Sequence, residues 1–225
     1  MQNKQQQVWE QEHIQQKAFA TMHTLKPSNY IPQFAGFLQQ QGMMPSTDRI
    51  VLDIGCGKGR NSVYFAALGY RVIGTDFSEK ALADARVRSA QVGGHVEYEL
   101  VDLTQEWPYN SNFVDVIIDC NSTVFIPNDG REFAIAEALR VLKPGGFYFF
   151  YGLALLAGQA VPNYSEKGFF EKHYSLEELT TAYKAFSVVQ ADVVQVEDMM
   201  DGHTVINNMW YAIFQKPAAT APGLV

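Results

Sequence analysis

Residues 51–62 read Val-Leu-Asp-Ile-Gly-Cys-Gly-Lys-Gly-Arg-Asn-Ser: an apolar run interrupted by one acid, then three glycines at alternate positions. The run predicts a short buried strand over 50–54, and the residues that follow predict a helix over 61–68 stopped by Gly69. Gly55, Gly57 and Gly59 therefore sit in a strand-to-helix turn. There the missing Cβ lets main chain approach a ligand, and the helix start offers unpaired N–H groups. A turn built for a dinucleotide pyrophosphate requires G-x-G-x-x-G. Counted from Gly55 the third glycine falls on Arg60, and counted from Gly57 it falls on Ser62, so that spacing fails twice. Asp53 points the same way, because a carboxylate is unwelcome beside a diphosphate and useful beside a cation.

Outward from the turn, strands and helices alternate. Tyr70 to Thr75 reads as a strand, Ser78 as the cap of a helix running to Val92, and 96–101 as the next strand. A loop holding Trp107-Pro108 leads to a strand over 114–118. A helix opening at Asn128 or Asp129 runs to Leu142 and is ended by Pro144-Gly145-Gly146, and 147–151 is a continuously aromatic strand. Ser175 to Glu178 fits a capping box, with Leu176, Leu179, Tyr183 and Phe186 on one helical face. Runs at 187–196 and 204–214 around Asp201-Gly202 read as a hairpin. The expected fold is α/β: a doubly wound, mostly parallel seven-stranded sheet of Rossmann-like type, finished by an antiparallel C-terminal pair. Ahead of it, the glutamine-rich 2–24 places Trp9, Ile14, Phe19 and Met22 on one helical face, and 31–41 forms a second helix. Residues 1–45 are thus a helical N-terminal segment, 46–217 the main domain and 218–225 a frayed tail.

Composition narrows the function classes. The chain has 225 residues, 24 acids against 17 bases and a formal charge of −7, so a phosphate backbone is repelled and no nucleic-acid partner is expected. No apolar stretch approaches the ~20 residues of a membrane span, and the polar start lacks a signal peptide's apolar core. Two cysteines, Cys56 and Cys120, make no disulfide framework and read as small buried thiols; the expected location is cytoplasmic. The five histidines show no zinc-site spacing, so no metal is expected.

Asp76 stands 23 positions after Asp53, at the end of the next strand, where an acid grips a ribose. One acid for a positive group and one for a ribose fit a nucleoside with a cationic tail, S-adenosylmethionine. V-L-D-I-G-C-G-K-G, R-V-I-G-T-D-F-S, V-D-L-T, F-V-D-V-I-I-D and L-K-P-G-G-F, in that order over about 48–151, resemble the motifs of class I S-adenosylmethionine-dependent methyltransferases. G-K-G-R-N-S-V-Y-F-A-A-L-G-Y is similar to the tellurite-resistance and thiol-methyltransferase-like branch.

The resemblance implies roles for particular residues. Gly55, Cys56 and Gly57 would line the methionine moiety, with Gly59 and Asn61 counted in the same cofactor site. Asp53 would hold the turn or the ammonium through water. Asp76 would take the ribose hydroxyls, Phe77 would lie against the adenine, Asp102 would accept from its amino group, and the Leu103 N–H would face a ring nitrogen. Asp119 and Cys120 would contact the methionine end, leaving Asn121-Ser122-Thr123 toward the methyl group. For a general base, His173 with Tyr174 is the first candidate and His13 the second, if the front helix closes over the pocket as a lid. Arg60 is expected to face solvent. D-C-N-S at 119–122 lacks the N-P-P-Y-like run of amide and exocyclic-amine methylation, which leaves a small-molecule acceptor. The rival readings are a binding module that senses S-adenosylmethionine without turnover and an NAD(P)-dependent dehydrogenase.

Overall fold

The structure, a computed structural model, describes residues 4–15, 24–92, 95–160, 168–200 and 203–218. Two helices, α1 (Lys4–Gln15) and α2 (Ile31–Gln40), precede β1 (Ile50–Ile54). Then come α3 (Arg60–Leu68), β2 (Arg71–Asp76), α4 (Glu79–Val92), β3 (Val96–Leu100), β4 (Val114–Cys120), α5 (Asn128–Val141) and β5 (Leu142–Leu153). The chain closes with α6 (Leu176–Ala182), β6 (Ser187–Met200) and β7 (His203–Gln215). All seven strands form one sheet in the order β3-β2-β1-β4-β5-β7-β6. The first five are parallel, and β7 runs antiparallel to both β5 and β6. The expected fold class is the observed one.

Period-two alternation explains how both faces of the sheet are covered. Ile50, Leu52 and Ile54 pack into a core shared with α5, α6 and Trp9 of α1, while Val51 packs into the core on the opposite face, with α2 and α3. Phe34 of α2 stacks on Phe149 of β5 at 4.6 Å, so α2 packs in the layer that covers the sheet. Ser78 and Ser175 act as expected. The Ala81 N–H donates to Ser78 Oγ at 3.1 Å, and Ser175 and Glu178 form the reciprocal capping box at 2.9 and 3.2 Å.

Several expectations are corrected. α1 turns inward with Gln5, Trp9, Glu12 and His13, whereas Ile14 is 53% exposed. Phe19 and Met22 lie outside the described residues. A helix face that buries polar groups covers a polar surface, which an apolar-periodicity search cannot find. α6 ends at Ala182, short of the expected face: Leu176 is exposed, Leu179 packs inward, and Tyr183 and Phe186 are buried from the turn that follows the helix. β5 begins directly after α5 at Leu142, earlier than the expected 147. The Pro144-Gly145-Gly146 stretch is a break in register, where Leu142 pairs with Val114 and Phe147 with Val116. The hairpin strands pair from Ser187 with Gln215 out to Met200 with His203, well past the end of β5; the connecting Asp201-Gly202 lies outside the described residues.

Candidate active site

β1 turns toward β2 on one side and β4 toward β5 on the other, so the sheet order reverses between β1 and β4. Ligands bind at such a switch, beyond the carboxyl ends of the strands. A cavity of about 740 Å³ opens there, within the ~300–1,000 Å³ usual for small-molecule sites. It extends from the residues after β3 to the projecting part of the β6–β7 hairpin.

The glycine turn forms its floor. Gly55, Gly57 and Gly59 have φ of 59°, 54° and 78°, a left-handed conformation that an L side chain resists. A Cβ on Gly55 would stand 2.4 Å from Ser122 Oγ, across the crevice, where that hydroxyl donates to Ile54 O at 2.6 Å. Cys56 N–H donates to Thr75 O at 2.8 Å, which ties the turn to the end of β2. Asp76 follows directly: its Oδ2 accepts from Gly57 N at 2.9 Å and its Oδ1 from Ser78 N at 2.9 Å. Burial raises the Asp76 carboxyl, while nearby His13 and these two N–H groups oppose the shift.

Asp102, after β3, accepts from Thr104 N at 2.9 Å and Thr104 Oγ1 at 2.7 Å through one oxygen, and from Gln6 Nε2 of α1 at 2.5 Å through the other. Thus α1 lies across the cavity, with Gln6 at one acid and His13 near the second. His13 is 2% exposed, and its Nδ1 has no hydrogen-bond partner among the described residues. Asn121 Oδ1, past β4, is likewise buried and has no partner among the described residues, on the cavity wall. Such orphaned polar atoms are rare unless a ligand or water meets them. Acids toward one end, bare main chain in the middle and unpaired polar atoms on the wall fit a nucleoside with a cationic tail.

The sequence candidates divide into two groups. Gly55, Cys56, Gly57, Asn61, Asp76, Phe77, Asp102, Leu103, Cys120, His13 and His173 all line the cavity. Asp53, Gly59, Asp119 and Tyr174 are not among its lining residues and are buried behind its wall, and of the two roles expected of Asp53 its contacts fit holding the turn. Asp53 is buried and accepts from Ser62 Oγ at 2.5 Å, and burial pushes its carboxyl up to about 7. A Cβ on Gly59 would meet Tyr98 Oη, so this glycine serves close packing. Asp119 accepts from Thr123 Oγ1, from Ser122 N at 3.0 Å and from Tyr148 Oη at 2.7 Å, which holds the 121–123 turn in place. Tyr174 is 2% exposed in the main core, and burial pushes its phenol up to about 12, the wrong direction for a base.

Further corrections concern Arg60 and the thiols. Arg60 lines the cavity and is half-buried, not turned to solvent. Both cysteines are free, as read from sequence. Burial raises the Cys56 thiol well above its usual value and pushes Cys120 up to about 12, so neither is an activated nucleophile. No cluster of metal-ligating side chains occurs among the described residues. Sequence reasoning missed Gln5, Gln6, Glu171, Asn207 and Met209. The glutamines were hidden in a low-information polar run, and the others come from segments that only folding brings to the cavity.

With that geometry in place, the likeness to known proteins is informative. Residues 51–146 match the family described as "Methyltransferase domain". A ubiquinone biosynthesis O-methyltransferase of Thiobacillus denitrificans is 35% identical over 106 residues, 47% of this chain and 45% of that protein. The chain spans about half the length of the curated relatives it matches. Among solved structures, TehB of Haemophilus influenzae superposes with a TM-score of 0.67 at 20% identity, covering 83% of this chain and 61% of that one. A 1,6-didemethyltoxoflavin-N1-methyltransferase of Burkholderia thailandensis also gives 0.67, at 16% identity, covering 84% and 79%. These two establish likeness of fold. Over residues 51–146 this chain is similar to methyltransferase domains.

Proposed function

We propose that this chain transfers a methyl group from S-adenosylmethionine to a small-molecule acceptor by in-line displacement. The observation that carries the proposal is the one cavity whose lining holds the Asp76 and Asp102 side chains together with Cys120, Asn121, Tyr151, Phe169, His173 and Met209. Asp76 would take the ribose hydroxyls, Asp102 and the Leu103 N–H the adenine, and the Gly55–Gly57 main chain the methionine portion. S-adenosylmethionine supplies a methyl carbon already activated by its sulfonium. The chain's own work is to seat donor and acceptor in line and exclude water, and orientation alone contributes on the order of 7 kcal/mol.

In the same proposal α1 alone is the lid, since α2 is core; 46–217 is the catalytic domain and 218–225 a tail. An oxygen acceptor is favoured by the likeness to ubiquinone biosynthesis O-methyltransferases. The likeness of residues 57–70 to the tellurite-resistance branch keeps sulfur and inorganic chalcogen acceptors in the test. The excess of 24 acids over 17 bases supports a small molecule over nucleic acid. Among the described residues no helix is long and apolar enough to cross a membrane. The free thiols support action in a reducing compartment, the cytoplasm.

Calorimetry with S-adenosylmethionine against NAD tests the cofactor. Release of S-adenosylhomocysteine with a panel of phenols, thiols, amines and tellurite tests turnover. Binding without any turnover would favour the sensor reading, and uptake of NAD alone would overturn the proposal.

A further inference from the structure

His173 lies on a segment fastened on both sides. The Lys172 N–H donates to Val124 O at 2.8 Å, and the Tyr174 N–H donates to Leu153 O at 3.0 Å. Upstream, the Gln5 carboxamide of α1 holds the same segment twice: Nε2 donates to Gly168 O at 3.0 Å, and Oε1 accepts from Phe170 N at 2.7 Å. A side chain carried on main chain so fixed is held where the cavity needs it. His173 Nε2 faces Glu171 Oε2 at 3.5 Å, and the two side chains are 17% and 20% exposed. Both line the cavity. No hydrogen bond reaches His173 Nδ1 from the described residues, so one ring nitrogen has a carboxylate and the other is open.

We propose that Glu171 is the positioning residue of a Glu171–His173 pair that removes the proton of an aromatic hydroxyl acceptor. The inference rests on the methyl-transfer reading of the cavity. A carboxylate at Nε2 holds the proton there and leaves the Nδ1 lone pair free to act as base. Long contacts of this kind tighten when substrate binds. A preformed anion such as tellurite needs no base, whereas a phenol, ordinarily near pKa ~10, does at neutral pH. The cavity walls agree. Tyr151, Leu153, Phe169, Val196 and Met209 form a largely apolar lining suited to a flat ring.

The step balances without a further reagent. The hydroxyl proton passes to His173 Nδ1 while an oxygen lone pair forms the bond to the methyl carbon. The carbon–sulfur bond breaks with its electron pair left on sulfur, which gives a neutral thioether. The imidazolium, beside Glu171, then releases its proton to water.

Other charged groups around His173 are engaged or stand across the cavity. Lys172 is drawn to Glu178 and lies over the Tyr174 ring, and Arg131 of α5 lies over the Phe170 and Tyr174 rings. Glu197 of β6 and His13 of α1 also line the cavity. Among the described residues Glu171 is the one carboxylate in ion-pair range of His173.

Two measurements on the full chain test the pair. Isotope-edited NMR of the histidine nitrogens, assigned with His173→Gln, should show the Nε2–H tautomer in the native chain and a tautomer mixture in Glu171→Gln. A native Nδ1–H tautomer overturns the pairing whether or not any acceptor is turned over. Methyl transfer is then followed with catechol, neutral in the assay, and with 4-nitrocatechol at mildly alkaline pH, where it is an anion. Glu171→Gln should lower kcat for catechol about tenfold with KM little changed, and His173→Gln about a hundredfold. Both should leave 4-nitrocatechol within about twofold of native, and Glu171→Asp should recover part of the catechol rate. Equal losses on both acceptors would mean a merely structural pair. Turnover of amines or thiols but of neither catechol would overturn the acceptor class. If cofactor binds and no acceptor of any class is methylated, the methyl-transfer reading falls and takes the base with it, and the tautomer result still reports whether the pair exists.

Discussion

Gly55→Ala probes the crevice between β1 and β4 most directly. An alanine at φ 59° costs about 1 kcal/mol for the left-handed backbone alone. Its Cβ would also lie 2.4 Å from Ser122 Oγ and 2.7 Å from Ser122 Cβ. Ser122 must then swing away, giving up the 2.6 Å hydrogen bond to Ile54 O, worth about 1 kcal/mol. Forcing atoms into packed space adds about 1–3 kcal/mol. The total of roughly 4 kcal/mol is a large part of the ~5–15 kcal/mol that holds a domain folded. In a Ser122→Gly background the clash has no partner, and only the backbone cost of about 1 kcal/mol should remain. Urea denaturation of the native chain, both single variants and the double variant gives the coupling directly, expected near 3 kcal/mol. A cost for Gly55→Ala that agrees within about 0.5 kcal/mol in the two backgrounds would refute the contact across the crevice. Calorimetry on the same proteins should show weaker S-adenosylmethionine binding whenever the turn is displaced.

Three further outcomes are expected. Asp76→Ala should weaken S-adenosylmethionine binding by roughly 10- to 100-fold, since hydrogen bonds to a charged acceptor contribute about 1.5–3 kcal/mol; unchanged calorimetric affinity would remove Asp76 from the ribose. Asp53 keeps its proton to about 7 in the fold but only to 3.8 in a free chain, so between those values the native state binds more protons. Its relative stability is therefore full below pH 3.8 and lost as pH rises through about 7. Asp53→Asn should flatten that fall by roughly 3–5 kcal/mol in denaturation curves from pH 4 to pH 8, and a profile parallel to the native one would count against the shift. Gln5→Ala removes both side-chain bonds to the 168–170 main chain and should destabilise the docking of α1 by about 1–3 kcal/mol, seen as faster amide exchange in both segments. Exchange that rises in α1 alone would mean the two are not coupled.

Much of this protein was legible because its chemistry is local. Strand, glycine turn and helix follow one another within residues 50–68, and Asp76 and Asp102 stand at or just beyond the ends of the next two strands. Period and spacing alone therefore put backbone and carboxylates at one edge of a sheet. Their side chains could not be sorted the same way. Asp53 and Asp119 look in sequence as much like ligand contacts as Asp76 does. Strand direction and the hydroxyls of Ser62, Thr123 and Tyr148 turn them into structural carboxylates behind the wall. Tyr174 and His173 are neighbours, yet alternation sends one into the core and the other into the cavity.

By itself, then, the sequence determined a parallel α/β sheet, a glycine turn of the wrong spacing for a diphosphate, and the acids suited to a cationic nucleoside, because each depends on residues close together in the chain. Tertiary structure alone decided that a glutamine-rich helix with a polar buried face crosses the site, that Gln5 reaches Gly168 and Phe170, and that Glu171, His173 and the far hairpin share one cavity with Asp102. Those contacts join segments far apart in the chain, the Gln5 bonds across 163 and 165 positions, and their partners are set by packing between elements, for which no local periodicity carries a signal.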